Sequence, residues 1–515
     1  MKYKWLVGSI LFAYHYPGVL PVIAADVIDR FLDAAGRAPD APAVVTRGEI
    51  VSYAALETRV RRYAAAVADA AATRVMIALP QGAEAYAALL GAGLAGAFYA
   101  PLNVQAPLEK LLRIVGLMQP EVIVAEPGLS ASLRSAAPEA RLVAPDTLPE
   151  APLSGRGTRH ETAYIIFTSG TTGTPKGVMI PRTALDHFID WVGTSGFVTQ
   201  SDRVAQFSNI AFDVSVTDIY GALCIGAALY PVVGRADRMF PARLVARERL
   251  TVWNSTPSVL SLMLQAGEIT RELLGTLRIV NTCGEALLPA HVEALFAALP
   301  ETIVQNSYGP TETTVTMTEL RLDRDRYREA CEGSVAIGAP IRNMGIVLLG
   351  GPHADEGEIV ITGPQLAQGY WRDPDKTAAA FRVIDHGGER VRAYHSGDWA
   401  VRRGEHIFFK ERIDRQIKLR GHRLELDEVA RALADEGFPI CCVFKWRDEL
   451  VAVIETPTGV LVEAKALRTA LARTLESHAI PTAFHTMERL PRTDNDKLDR
   501  GAVLAWLESR ESRGA

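Results

Sequence analysis

The readable pattern begins at AADVIDRFLDAAG, residues 24–36. Apolar residues recur there every three to four positions, which predicts an amphipathic helix. APAVV (41–45) and EIVSYAALETRVRRYAAAVADA (49–70) read as strand, short strand and helix. RVMIALP (74–80) and EVIVAEP (121–127) are short buried strands. Between them AYAALLGAGLAGAFYAPL (85–102) contains a small-residue-rich helix that can pack closely. Strands and helical lengths then alternate to about residue 325, the texture of layered α/β architecture. VAQFSN, LTVWNSTP, LRIVNTCG and TIVQNSYG each end in a polar or glycine turn. In open α/β sheets such strand ends face the ligand crevice.

From residue 333 the pattern shifts to short strands with tight turns, in GSVAIGAP, MGIVLLG, GEIVITG, RVRAYHSGDWAVR and EHIFFKERID. This predicts an antiparallel or barrel-like subdomain. Past about 415 a small α+β unit follows. LRGHRLELDEVARALADEG reads as strand then helix, ICCVFKWRDELVAVIET as a hairpin, and VEAKALRTALARTLESHA as one helix. The expected division is an extension at 1–24, a large domain at 25–413 and a small mobile domain at 414–515.

Composition changes this picture little. The 515 residues are 48% hydrophobic and 22% charged, with a net charge of −5. That argues against a nucleic-acid partner. Five cysteines lie at no metal-ligand spacing and form no disulfide framework. Residues 1–24 have the basic start and apolar run of a secretory leader. His15, Tyr16 and Pro17 interrupt that run, so retention in the cytoplasm is expected. No other stretch has the length and apolarity of a membrane span.

The chemistry-bearing motif is TSGTTGTPKG, residues 168–177. Glycines can present backbone N–H groups to anionic oxygens, and hydroxyls can bind phosphate. Counted from Gly170 it nearly spells a P-loop. Pro175 stands where glycine belongs, and Gly177 replaces the Ser or Thr that ligates Mg²⁺. On the residues alone, an altered P-loop, a different phosphate clamp and a flexible turn stay open.

Its companions narrow the choice. They are SYAAL (52–56), GAFYAPLN (96–103), NIAFDVSVTDIY (209–220), NSYGPTE (306–312), GEIVITGPQLAQGYW (357–371), YHSGDWA (394–400), ERIDRQIKLRGHRLEL (411–426) and NDKLDR (495–500). With these segments in this order the chain resembles the adenylate-forming enzymes. Within them it resembles nonribosomal peptide synthetase adenylation domains and their stand-alone relatives, the D-alanine–carrier-protein ligases. The resemblance implies carboxylate attack on the α-phosphorus of ATP, giving an acyl-adenylate and pyrophosphate. A phosphopantetheine thiol then takes the acyl group.

Residue by residue, the resemblance implies that Thr168, Ser169, Gly170, Thr171, Thr172, Gly173 and Lys176 handle the β- and γ-phosphates. Asp398 holds the ribose hydroxyls, Tyr308 stacks on adenine, and Arg412 lies near ribose and phosphates. Glu312 is the Mg²⁺ ligand, Thr311 a hydroxyl near the α-phosphate, and Lys497 the catalytic cation. Asp414 is the hinge. Two departures are visible. Asp496 precedes Lys497 where the family has glycine, and Glu411 stands where glycine is common.

The same comparison makes Asp213 the partner of an α-amino group. Val214, Thr217, Asn254, Asn281 and Cys283 line the substrate pocket, with Ser307, Val315 and Thr316. None is aromatic or charged. A large aromatic substrate would leave the asparagines unpartnered, and a charged side chain would lack its counter-charge. The expected substrate is therefore alanine-, serine- or threonine-like, D or L. No serine-bearing carrier motif follows residue 500, so a separate carrier protein is the expected acceptor. An acid–CoA ligase and a non-catalytic scaffold on the same fold are the alternatives.

Overall fold

Several element boundaries follow from single side chains. The computed structural model describes residues 26–169, 174–386, 388–413, 416–446, 449–456, 462–492 and 498–511. The first helix is Val27–Arg37, where Asp26 accepts from the Ile28 N–H at 2.8 Å and Ile28, Phe31 and Ala35 turn inward. Ser52 caps Tyr53–Asp69 by accepting from the Ala55 N–H. The helix Ala83–Leu94 is buried all round. Its Gly91 lies so close to Tyr53–Asp69 that a Cβ would sit 2.7 Å from Tyr63 Cβ and 2.8 Å from the Val60 carbonyl. This contact explains the small-residue run.

The chain divides into two units. The first holds the residues up to Asn103, Met118–Ile166 and Gly177–Ile413. The second holds Val104–Leu117, Phe167–Lys176 and the residues from 414 onward. In the first, a nine-stranded sheet runs Ala339–Pro340, Thr318–Leu322, Ile303–Tyr308, Ile279–Cys283, Val252–Ser255, Arg203–Gln206, Ala228–Pro231, Pro42–Val45, Ile50–Ser52. Its middle is parallel and its ends are antiparallel. A seven-stranded sheet runs Gly369–Tyr370, Lys176–Pro181, Thr162–Thr168, Phe98–Pro101, Arg74–Ala78, Val122–Ala125, Arg141–Val143. The β-rich segment forms a five-stranded antiparallel sheet around the long strand Glu389–Arg403. This is the layered α/β architecture with a β-rich subdomain that the pattern predicts.

Alternation along the central strands separates two cores. Trp253, Val280 and Val304 point to one face and pack with Leu260, Leu295 and Phe296. Val252 and Ile279 point to the other, toward the core that contains Val216, Ile219 and Leu223 of the helix Val214–Ile225. Residues 254, 281, 283, 305 and 307 share this second face. The sequence therefore sends its polar strand ends toward one helix.

In the second unit, Cys441–Trp446, Glu449–Glu455 and Ala483–Met487 form a three-stranded sheet with the helices Leu426–Asp435, Ala464–Leu471 and Arg500–Glu511. The helix predicted over 462–479 is shorter than its pattern. It stops at Leu471, and Ser477–Ala479 is a 3-10 turn. Tertiary contacts override helix propensity there: Leu475 enters the core, and Glu476 pairs with Lys110 at 2.6 Å. None of the five cysteines is in a disulfide. Among the described residues, no helix is long and apolar enough to cross a membrane.

Candidate active site

Asp398 lies in register with Arg412 across the hairpin of Glu389–Arg403 and His406–Arg412. Arg412 Nη1 donates to Asp398 Oδ1 at 2.7 Å, and the Tyr308 hydroxyl donates to Oδ2 at 2.6 Å. The carboxylate is 2% exposed, so these donors offset its desolvation. Each oxygen still has a second lone-pair direction, a geometry suited to a vicinal diol. Burial, then the Asp398 charge, hold the Tyr308 phenol well above its usual pKa, so it stays a donor. The Ser396 hydroxyl donates to the Ile359 carbonyl at 2.6 Å and accepts from the Asp398 N–H at 3.0 Å. These two bonds fix the backbone around Gly397, inside the strand Glu389–Arg403.

Glu312, in the 3-10 turn Thr311–Thr313, is fully buried and accepts from the Tyr370 hydroxyl at 2.9 Å. Thr311 is buried beside it. Among the described residues, no three His, Cys, Asp or Glu side chains group to hold a metal. A single buried carboxylate fits Mg²⁺ that takes its other ligands from phosphate and water.

The turn after Glu312 is strained. Thr314 and Val315 have φ of 58° and 67°, costly for β-branched residues. Gln365, absent from the sequence expectations, clamps it. Its Nε2 donates to the Thr316 and Thr313 carbonyls at 2.8 and 3.1 Å, and its carbonyl accepts from the Thr314 hydroxyl at 2.8 Å. The Gln365 Oε1 lies 2.9 Å from His187 Nδ1. The buried Val315 and Thr316 thus owe their positions to a glutamine fifty residues away.

The asparagines expected in the pocket are joined. Asn254 and Asn281 are register neighbours, and Asn281 Nδ2 donates to Asn254 Oδ1 at 2.9 Å. The Ser307 hydroxyl donates to Asn281 Oδ1 at 2.9 Å. Asn254 Nδ2 donates to Asp218 Oδ1 at 3.0 Å, so the row ends on a carboxyl that the sequence reading passes over. Cys283 lies on the same face, two residues beyond Asn281. Thr217 is buried, and its hydroxyl has no hydrogen-bond partner among the described residues. Val214 opens the helix Val214–Ile225, and Asp213 precedes it without capping it. The Asp213 charge instead helps to raise the pKa of the buried Tyr164 phenol, behind the larger effects of burial and Tyr99.

In the second unit, the Ser169 hydroxyl donates to the Arg423 carbonyl at 2.9 Å, and the Thr168 hydroxyl is buried without a partner among the described residues. Lys176 begins the strand Lys176–Pro181. Gly170, Thr171, Thr172, Gly173, Asp414 and Lys497 lie outside the described residues.

The model of the AMP-binding enzyme family matches residues 31–371. The chain belongs to the AMP-binding enzyme family. It is an AMP-forming adenylating enzyme, closely related to nonribosomal peptide synthetase adenylation domains and D-alanine–carrier-protein ligases. It is 32% identical to a dimodular nonribosomal peptide synthase of Bacillus subtilis, over 93% of this chain but only 21% of that protein. It is 30% identical to the D-alanine–D-alanyl carrier protein ligase of Bacillus velezensis, over 93% and 98% of the two chains. Among solved structures, the Vibrio cholerae adenylation domain AlmE, in complex with glycyl-adenosine-5'-phosphate, superposes with a TM-score of 0.81. That match has 27% identity and covers 96% and 100% of the two chains.

In this adenylating enzyme the glycine of YGPTE has a steric reason. A Cβ on Gly309 would stand 2.3 Å from the Val315 carbonyl oxygen. Gly309→Ala is expected to cost about 1–3 kcal/mol, as overpacking does. A denaturant titration of purified protein should show the lower midpoint. An unchanged midpoint would mean that the strained turn yields freely.

Proposed function

We propose that the enzyme adenylates a small, uncharged α-amino acid with ATP and passes it to the phosphopantetheine thiol of a separate carrier protein. In the first step the substrate carboxylate oxygen bonds to the α-phosphorus, the bridge to the β-phosphorus breaks, and pyrophosphate leaves. The observation that carries the amino-acid reading is Asp213. It stands at the head of a helix without capping it, on the residue the family uses for the α-ammonium group. A carboxylate at that position is suited to pair with a cation.

In this reading Asp398 receives the ribose hydroxyls, Tyr308 flanks adenine, and Arg412 supports both. Glu312 would hold Mg²⁺, which supplies charge neutralisation at the phosphates when bound, and Thr311 lies at the α-phosphate. The loop from Thr168 to Lys176 takes the outgoing phosphates, and Lys497 bridges carboxylate and phosphate oxygens. The glycyl-adenylate bound by AlmE and the D-alanyl carrier protein ligase both support a small substrate.

The structure alters the reason for expecting that substrate. The asparagines satisfy one another, so they do not by themselves require a polar side chain. Support comes instead from the buried, uncharged Cys283, Val315 and Thr316. The test is amino-acid-dependent ATP–pyrophosphate exchange across D- and L-amino acids, fatty acids and aryl acids. Exchange should appear with alanine-, serine- or threonine-like substrates. Exchange with fatty or aryl acids alone would overturn the reading.

A further inference from the structure

Asp218 is a carboxyl group in a place that does not support a charge. It lies in the helix Val214–Ile225, is 1% exposed, and takes part in no ion pair among the described residues. Among the described residues, Oδ1 accepts one hydrogen bond, from the neutral Asn254 amide, and Oδ2 is buried with no partner. The Tyr86 phenol, which feels Asp218, is itself neutral and donates to Gln206 Oε1 at 2.8 Å. A carboxylate so placed would be desolvated on one oxygen without compensation. Burial accordingly drives the Asp218 pKa well above the usual carboxylate range, with the Asn254 bond opposing it.

Asp218 also ends a one-way row of hydrogen bonds. Arg321 Nε donates to Gln305 Oε1 at 3.0 Å, and Gln305 Nε2 to Ser307 Oγ at 3.3 Å. Ser307, Asn281 and Asn254 then each donate to the next, and Asn254 donates to Asp218. All five donors point the same way. An amide can turn over at little steric cost, so direction is imposed from the end that can only donate, the Arg321 guanidinium. The acceptor at the other end is Asp218 Oδ1.

We propose that Asp218 is a specificity-setting positioning residue: a neutral carboxylic acid that holds the terminal Asn254 amide of the Asn254–Asn281–Ser307 row and keeps that side of the substrate site uncharged. An ionised Asp218 would instead invite a basic side chain. The consequence for substrate choice rests on the pocket reading above. The protonation state does not.

Two measurements on the full chain test it. The infrared difference spectrum of wild type minus Asp218→Asn at neutral pH should contain a protonated-carboxyl C=O band. Carboxylate bands in its place would overturn the proposal, whatever the enzyme's substrate. In pyrophosphate exchange, Asp218→Asn should keep the amino-acid KM within about threefold, because an amide offers the same acceptor and donor as a neutral acid. Asp218→Leu strands the Asn254 amide and should raise that KM by about tenfold, with the ATP KM unchanged. Equal loss in both variants, an unaffected Asp218→Leu, or wild-type preference for lysine- or ornithine-like substrates would overturn it. Should Asp218→Leu fail to fold, the infrared band and the Asp218→Asn kinetics decide. Wild-type exchange with no amino acid at all would count against the proposed function and leave the infrared result standing.

Discussion

Asp398→Asn should lower kcat/KM for ATP by roughly two orders of magnitude and leave the amino-acid KM nearly unchanged. The carboxylate is the only charged acceptor between Arg412 and Tyr308 among the described residues, and both already donate to it. Its remaining acceptor capacity is what the ribose hydroxyls would use. Hydrogen bonds to a charged group contribute about 1.5–3 kcal/mol each, so two weakened bonds amount to about 3 kcal/mol or more. At about 1.4 kcal/mol per tenfold, that is two decades. Asparagine retains a carbonyl for Arg412, which favours folding over alanine at this position. Exchange kinetics with ATP varied at saturating amino acid give the result. An unchanged ATP KM and kcat would remove Asp398 from the nucleotide site.

The second large effect is expected at Asp213. Asp213→Ala should cut kcat/KM for the amino acid by about two orders of magnitude while the ATP KM holds. Removing one partner of a hydrogen-bonded charge pair at a binding site costs about 2–5 kcal/mol. The helix should not suffer, because Asp213 makes no capping bond to lose. Thermal melting should therefore fall far less than substrate affinity does. This separates substrate binding from stability in one variant. If the variant melts much lower and keeps its amino-acid KM, Asp213 is a structural residue.

Much of this arrangement was legible in the chain itself. Capping by Asp26 and Ser52 and the alternation in VWNS, IVNTC and IVQNSY follow from local sequence. The family motifs named Asp398, Arg412 and Tyr308. Pairing across distant segments was not legible. Asn254, Asn281 and Ser307 lie on three strands, and only the sheet register makes them neighbours. Gln365 clamps a turn fifty residues away and carries no local mark of that duty. Asp218 did carry one. Ser215 to Cys224 are all buried, and Asp218 is the single charged residue in VSVTDIYGALCI. A helix apolar on every side is enclosed on every side, so its one carboxyl must be enclosed too.

The row of amides also bears on how such a site can change its substrate. Each member's orientation depends on its neighbour, so substitutions at Asn254 and Ser307 will not add. A double variant will cost less, or more, than its parts by an interaction energy of about 0.5–3 kcal/mol. Successful retargeting would then come through sets of residues that exchange together, and single exchanges drawn from another such enzyme would fail even when the complete set succeeds.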